Sequence, residues 1–285
     1  MRTILAVGIL ATAALFASCD GEESKKETAP VVDESPDSTS ENHTRLNFDA
    51  LPSPLRISYL FYQAHLDFQE PLLLPVEQYD GFSLNTERLV AFGMYSSDLA
   101  YAAFNQRDDI AKKRFNLIER ISSDLSFSFP EENEQLVVRF EQNITQIDSI
   151  IHLLSRYQMM VDDYIQQNGD QDKAIIIFSS AWIETLYLGC SVKNLEVNPE
   201  LLETLIYQQE LCDVQLANLE AITNYDGDQK FEDLRTHMRN IYAAFQEIGL
   251  PENETEEFEI KRVALHKLVD TVFEARKIIS TNQAS

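Results

Sequence analysis

Apolar positions recur at three- and four-residue spacing along most of this chain, and few stretches alternate apolar and polar residues as strands do. The pattern predicts an all-α, multi-helix bundle over residues 51–285. An opening helix reads from "PLRISYLFYQAHLD", residues 54–67, with Pro54 in its first turn. "PLLLPVEQYDGF", residues 71–82, reads as an irregular connection. Asn85 or Thr86 caps a helix that runs to about Gln106, and Asp108 or Asp109 begins another that ends at Leu125. Pro130 opens a long helix with Leu136, Phe140, Ile147, Ile151, Leu154, Val161 and Ile165 on one stripe, and Asn168-Gly169 ends it. Further helices are expected over about 171–190, 199–225, 228–248 and 255–280. Pro199 and Pro251 mark starts and Gly249 a stop.

Two of these helices are apolar on nearly every side: "LVAFGMYSSDLAYAAF", residues 89–104, and "AIIIFSSAWIETLYLG", residues 174–189. Helices of that kind sit at the centre with others packed around them. Each carries one acid, Asp98 or Glu184. Each acid has a tyrosine three residues on (Tyr101, Tyr187) and a phenylalanine six before (Phe92, Phe178), so all three pairs are 86 positions apart. Asp148 and Asp233, and His152 and His237, are 85 apart. This spacing suggests two pseudo-repeated halves, 51–168 and 169–285, around the two central helices.

A buried carboxylate is costly unless it is paired or neutralised. One reading gives Asp98 and Glu184 internal partners: a tyrosine hydroxyl, a serine (Ser96, Ser97, Ser179 or Ser180), backbone at a helix end, or a cation such as Arg88 or Arg139. The other makes Asp98, Tyr101, Trp182, Glu184 and Tyr187 a ligand site inside the bundle. Trp182, two positions before Glu184, reads mainly as a core anchor. A metal version of the second reading adds Asp148, His152, Asp233 and His237 to the two acids. Ferritin-like di-metal bundles use Glu-x-x-His pairs, whereas the spacing here is four, and both histidines flank their apolar stripes. The expectation is therefore no cofactor, with a metal not excluded. No Gly-rich phosphate loop, Gly-x-Ser-x-Gly elbow or His-Glu-x-x-His is present, and "NYDGDQKFEDL" lacks the order of a calcium loop. Cys190 and Cys212 either bond each other or stay as buried thiols.

The front of the chain is a different material. Arg2, an apolar run from Ile4 to Phe16 and then small residues have the layout of a secretion signal over residues 1–18. Phe16-Ala17-Ser18-Cys19 resembles a bacterial lipobox, which implies cleavage before Cys19 and acylation of its thiol. Several acyl chains anchor a protein stably where one would not. Asp20-Gly21-Glu22-Glu23 resembles the acidic export tag that follows the lipidated cysteine in surface lipoproteins of Bacteroidetes-type bacteria. Residues 19–50 are rich in Glu, Ser, Asp, Thr and Pro and read as a disordered acidic spacer.

Charge narrows the partners. The chain has 23 Lys+Arg against 47 Asp+Glu, a formal charge of -24, which repels nucleic acid and anionic lipid. The expected contacts are the membrane through the lipid anchor, and a protein or small ligand.

"LPSPLRISYLF" (51–61), "GMYSSDLAY" (93–101), "LVVRFEQNITQIDSI" (136–150) and "AWIETLYLG" (181–189) together resemble an uncharacterised family of all-helical Bacteroidetes-type lipoproteins. The resemblance implies an envelope location, with the outer membrane favoured, and a helical fold. It implies no activity. The sequence thus reads as a lipid-anchored binding or interaction module. The alternative is a metal- or cofactor-dependent enzyme with its site in the bundle core.

Overall fold

Apolar side chains on every face force two helices into the interior, and the rest of the fold is arranged to cover them. A computed structural model describes residues 54–64, 68–127, 139, 147–192, 195, 198–248 and 262–282. The signal, Cys19, the spacer, the first part of the long helix after Pro130, and the Gly249–Pro251 joint lie outside the described residues. Residues 44–285 form one unit. Its helices are α1 (Pro54–Gln63), α2 (Asn85–Phe104), α3 (Asp108–Asp124), α4 (Ile147–Asn168) and α5 (Gln171–Cys190), then α6 (Pro199–Ile206), α7 (Gln208–Ala221), α8 (Gln229–Ile248) and α9 (Arg262–Ser280). Among the described residues there is no strand, so the chain is an all-α multi-helix bundle.

The central pair is α2 and α5. They pack more extensively on each other than any other two elements do, and they run parallel: Gly93 meets Ile177 and Ser180, and further along Ser97 meets Ala181 and Thr185. Small residues let the backbones come close. A Cβ on Gly93 would fall inside contact distance of the Ile177 carbonyl and the Ser180 hydroxyl, and 2.9 Å from the Ala181 nitrogen. Ser97 donates to the Ala181 carbonyl at 2.7 Å, and Thr185 donates to Ser97 at 3.0 Å. α1 rests on both central helices, with Phe61 against Gly189, where a Cβ would come within 2.6 Å of the ring. α3 folds back on α2, α7 and α9 pack against α5, and α8 fills the space between α7 and α9. Trp182, Phe231, Phe245 and Leu268 are fully buried in this half of the core.

α5 is long and apolar enough to cross a membrane by length and composition, but 83% of that stretch is buried inside the bundle. It is a core helix, which also explains how it tolerates Glu184.

Several boundaries differ from the sequence reading. Neither Asn85 nor Thr86 caps α2. The Glu87 carboxylate does so, accepting from the backbone N–H groups of Ser83 and Leu84 at 2.9 and 3.0 Å, while the Thr86 hydroxyl donates to Asp228 at 2.8 Å. The single helix expected over 199–225 is two, because the chain is interrupted at Tyr207, where ψ is -11°. Asn198 caps the first of them by accepting from Leu201 N–H at 3.1 Å. Gly169 ends α4 with φ +70°, the left-handed conformation that favours glycine.

Candidate functional site

Parallel packing of α2 and α5 brings Asp98 and Glu184 side by side. Both are completely buried, and the charge of Glu184 acts directly on Asp98. The 86-residue spacing noted in the sequence is thus the register of the two central helices.

Two arginines answer the two acids. Arg114, from α3, places Nε 3.4 Å from Asp98 Oδ2 and donates from Nη2 to the Leu74 carbonyl at 2.9 Å. Arg276, from α9, donates to both oxygens of Glu184, with Nε 3.2 Å from Oε2 and Nη2 3.3 Å from Oε1. Its Nη2 also reaches the Leu72 carbonyl at 3.1 Å, and its guanidinium lies over the Tyr187 ring at 4.5 Å. These are not the cations the sequence pointed to. Arg139 is exposed, and Arg88 acts on Tyr79. The two partners lie 16 and 92 positions after their acids, so the pseudo-repeat is not carried through to them.

The cluster holds one segment of backbone. The irregular connection between α1 and α2 runs across the acids and is tied down at each step. Gln69 N–H donates to the Tyr101 hydroxyl at 2.7 Å, Leu74 N–H to Asp98 Oδ2 at 2.9 Å, and the Tyr95 hydroxyl to the Pro75 carbonyl at 2.7 Å. Phe68 stacks on Tyr101 with ring centroids 5.1 Å apart, and Arg107 covers its other side at 4.9 Å. Where the loop turns inward at Leu73 and Leu74 its backbone groups must find partners, and they find them on the charged cluster.

Burial, and then the Glu184 carboxylate beside it, hold Asp98 well above the usual carboxylate range, against the pull of Arg114 and the Leu74 N–H. Burial also raises Glu184, and Arg276 opposes that most strongly. Burial and Asp98 lift the Tyr95 phenol.

Asp98, Tyr101, Glu184 and Tyr187 therefore converge. Trp182 faces away, donating from its indole N–H to Gln208 on α7 at 3.2 Å and packing on Phe245. The low-ranked metal residues do not assemble. His152 is exposed, Asp233 accepts from Gln229, and His237 lies between α8 and α9. The side chain of Asp148 is outside the described residues. Among the described residues no three His, Cys, Asp or Glu side chains are placed to hold a metal ion. Asp98 Oδ2 and both oxygens of Glu184 are instead engaged by guanidinium and backbone groups, while Asp98 Oδ1 has no donor. Cys190 and Cys212 are free and buried, with Cys212 Sγ 3.9 Å from Met238 Sδ; burial pushes the Cys190 thiol up to about 12.

A groove of about 730 Å³ opens between α8 and α9. His237, Asn240, His266, Lys267, Asp270 and Glu274 line it, together with Ala243, Ala244 and Val263. Burial lowers the His237 imidazole, against Asp233 and Glu274. Nothing in the sequence pattern marked this groove, because its residues sit on the polar faces of two ordinary amphipathic helices.

Comparison with family models, curated proteins and solved structures gave no match to this chain.

Proposed function

We propose that this chain is a lipid-anchored protein of the bacterial envelope, tethered through Cys19, whose helical domain is a binding module with its contact surface in the α8–α9 groove. The lipobox-like end, the acidic spacer and the resemblance to outer-membrane lipoproteins support the location. The observation that carries the binding reading is a polar-lined groove of about 730 Å³ open at the surface, where the central acids are closed off inside the bundle. The acids in the centre are bonded to arginines and to the chain's own backbone. The groove presents imidazole, amide, hydroxyl, ammonium and carboxylate groups at the surface, with Lys267 paired to Glu247 and Glu274 to Lys277. Its volume is within the range of about 300–1,000 Å³ that small-ligand sites occupy. The chemistry suits a polar small molecule or the side chains of a peptide with both donors and acceptors, and the charge of -24 argues against nucleic acid.

Two measurements on the full-length protein extracted in mild detergent test this. Cys19→Ser should abolish incorporation of labelled fatty acid. Native mass spectrometry should find a co-purifying small molecule or peptide on the wild type, and Asn240→Trp, which fills the groove, should remove it. A ligand retained by Asn240→Trp would place the binding surface elsewhere.

A further inference from the structure

Asp98 Oδ1 is a completely buried acid oxygen with no donor aimed at it. Its sister Oδ2 takes the Leu74 N–H and Arg114 Nε. The neighbouring group is not a donor either, since both oxygens of Glu184 already face Arg276. Two ionised carboxylates in that position would repel each other in a dry interior, and one oxygen would stay unsatisfied. One proton resolves both problems. Placed on Asp98 Oδ1, it turns the orphan acceptor into a donor toward Glu184, which remains the ionised member facing the bidentate arginine.

We propose that Asp98 and Glu184 bind a single shared proton, seated on Asp98, and that this proton is the latch holding residues 69–75 across the α2–α5 pair. The link to the segment is direct, because the oxygen beside the proton accepts from Leu74 N–H. The same segment gives its Leu72 and Leu74 carbonyls to the two arginines.

The charged groups around the pair all act on the same balance. Arg114 on α3 and Arg276 on α9 favour ionisation, and Glu184 on α5 opposes that of Asp98. The phenols of Tyr95 on α2 and Tyr187 on α5 are both raised by burial and carry no charge near neutral pH. α1 contributes only the Ser58 hydroxyl, 3.4 Å from Thr185, among its described side chains near this point. Lys230 on α8 is engaged by carbonyls at the end of α9.

The sign follows from linkage. Asp98 holds its proton more tightly in the latched state than it would when exposed, where an aspartate has a pKa of about 3.9. Opening the latch above that pH releases the proton. The opening constant therefore rises about tenfold per pH unit until the latched pair itself ionises, and then levels off. Low pH closes the latch and rising pH loosens it.

Amide hydrogen exchange at Leu74 in the full chain, corrected for the intrinsic exchange rate, reads this directly between pH 5 and 7. The wild type should lose protection by about tenfold per unit. Asp98→Asn, whose amide donates to Glu184 without titrating, should show no such slope. Equal slopes in the two proteins would overturn the proposal. Infrared spectroscopy of the wild type supplies a test that needs no variant. At pH 7 a protonated-carboxyl stretch should be present and should shift on aspartate-specific carbon-13 labelling. Its absence, or a shift only on glutamate labelling, would show that Asp98 does not hold the proton.

Discussion

Asp98 and Glu184, 86 positions apart in sequence, lie side by side at the centre of two parallel helices, each matched to an arginine from a different helix. The arrangement turns an energetic liability into a fastening. Isolated charges there would be prohibitive, and the pair is tolerable because two arginines and a backbone N–H engage three of its four oxygens. The same contacts give the α1–α2 connection partners beyond the two short 3-10 turns that its described residues form.

Close approach of the central helices makes Gly93 sensitive to the smallest enlargement. Its missing Cβ lies against a backbone carbonyl, which cannot swing away as a side-chain tip could. Gly93→Ala should lower stability by about 1–3 kcal/mol through overpacking, despite alanine's better helix propensity. Urea unfolding of the variant checks this, and an increase in stability would mean that α2 and α5 sit further apart.

Lys230 is a buried cation with a defined task. It is 1% exposed, and its ammonium donates to the carbonyls of Ile278, Ile279 and Thr281, where α9 ends. A positive charge at a helix C-terminus also meets the negative end of the helix dipole. Lys230→Met keeps most of the apolar stem but strands those carbonyls, at a cost of about 1–3 kcal/mol. Hydrogen exchange should speed up in the last turn of α9, while the α2–α5 core stays protected.

Glu119 gives a pH dependence of definite sign. Burial alone lifts its carboxyl to about 7. The folded state then binds its proton more tightly than the unfolded state does. Its contribution to stability is complete below about pH 4.3, the ordinary glutamate value, and is lost as pH rises through 7. Glu119→Gln should fall less in stability between pH 4.5 and 7.5 than the wild type does, as read by thermal unfolding across that range. Subtracting the two curves removes the general repulsion of a chain with charge -24.

The helical pattern was strong enough to place α2, α3 and α5 almost to the residue, because their apolar positions repeat over several turns. The central acids were equally visible, since an acid in a helix with no polar face has nowhere to go but inward. Their partners were not. Arg114 lies on the buried stripe of α3 with Ala111, Phe115, Ile118 and Ile121, where an arginine is out of place, and that misfit was the available signal. Arg276 stands beside the stripe of α9 formed by Leu268, Val272 and Ile279, where an arginine ordinarily reads as solvated. Its pairing with Glu184 spans 92 positions, which no local pattern encodes. The histidines at 152 and 237 were drawn toward the acids by sequence spacing alone. The fold leaves one exposed on α4 and the other in the groove beside Glu274.

The claim that the central acids are fastened internally is tested most directly by a double-mutant cycle on Glu184 and Arg276. Glu184→Gln, Arg276→Met and the double variant would be compared by urea unfolding at pH 7. Breaking a buried pair from one side leaves an uncompensated group, so each single change should cost about 3–5 kcal/mol. The double change should cost less than the sum by at least about 1 kcal/mol. Additive costs, or a Glu184→Gln midpoint equal to the wild type's, would contradict the account and return Glu184 to the list of groups available for a ligand.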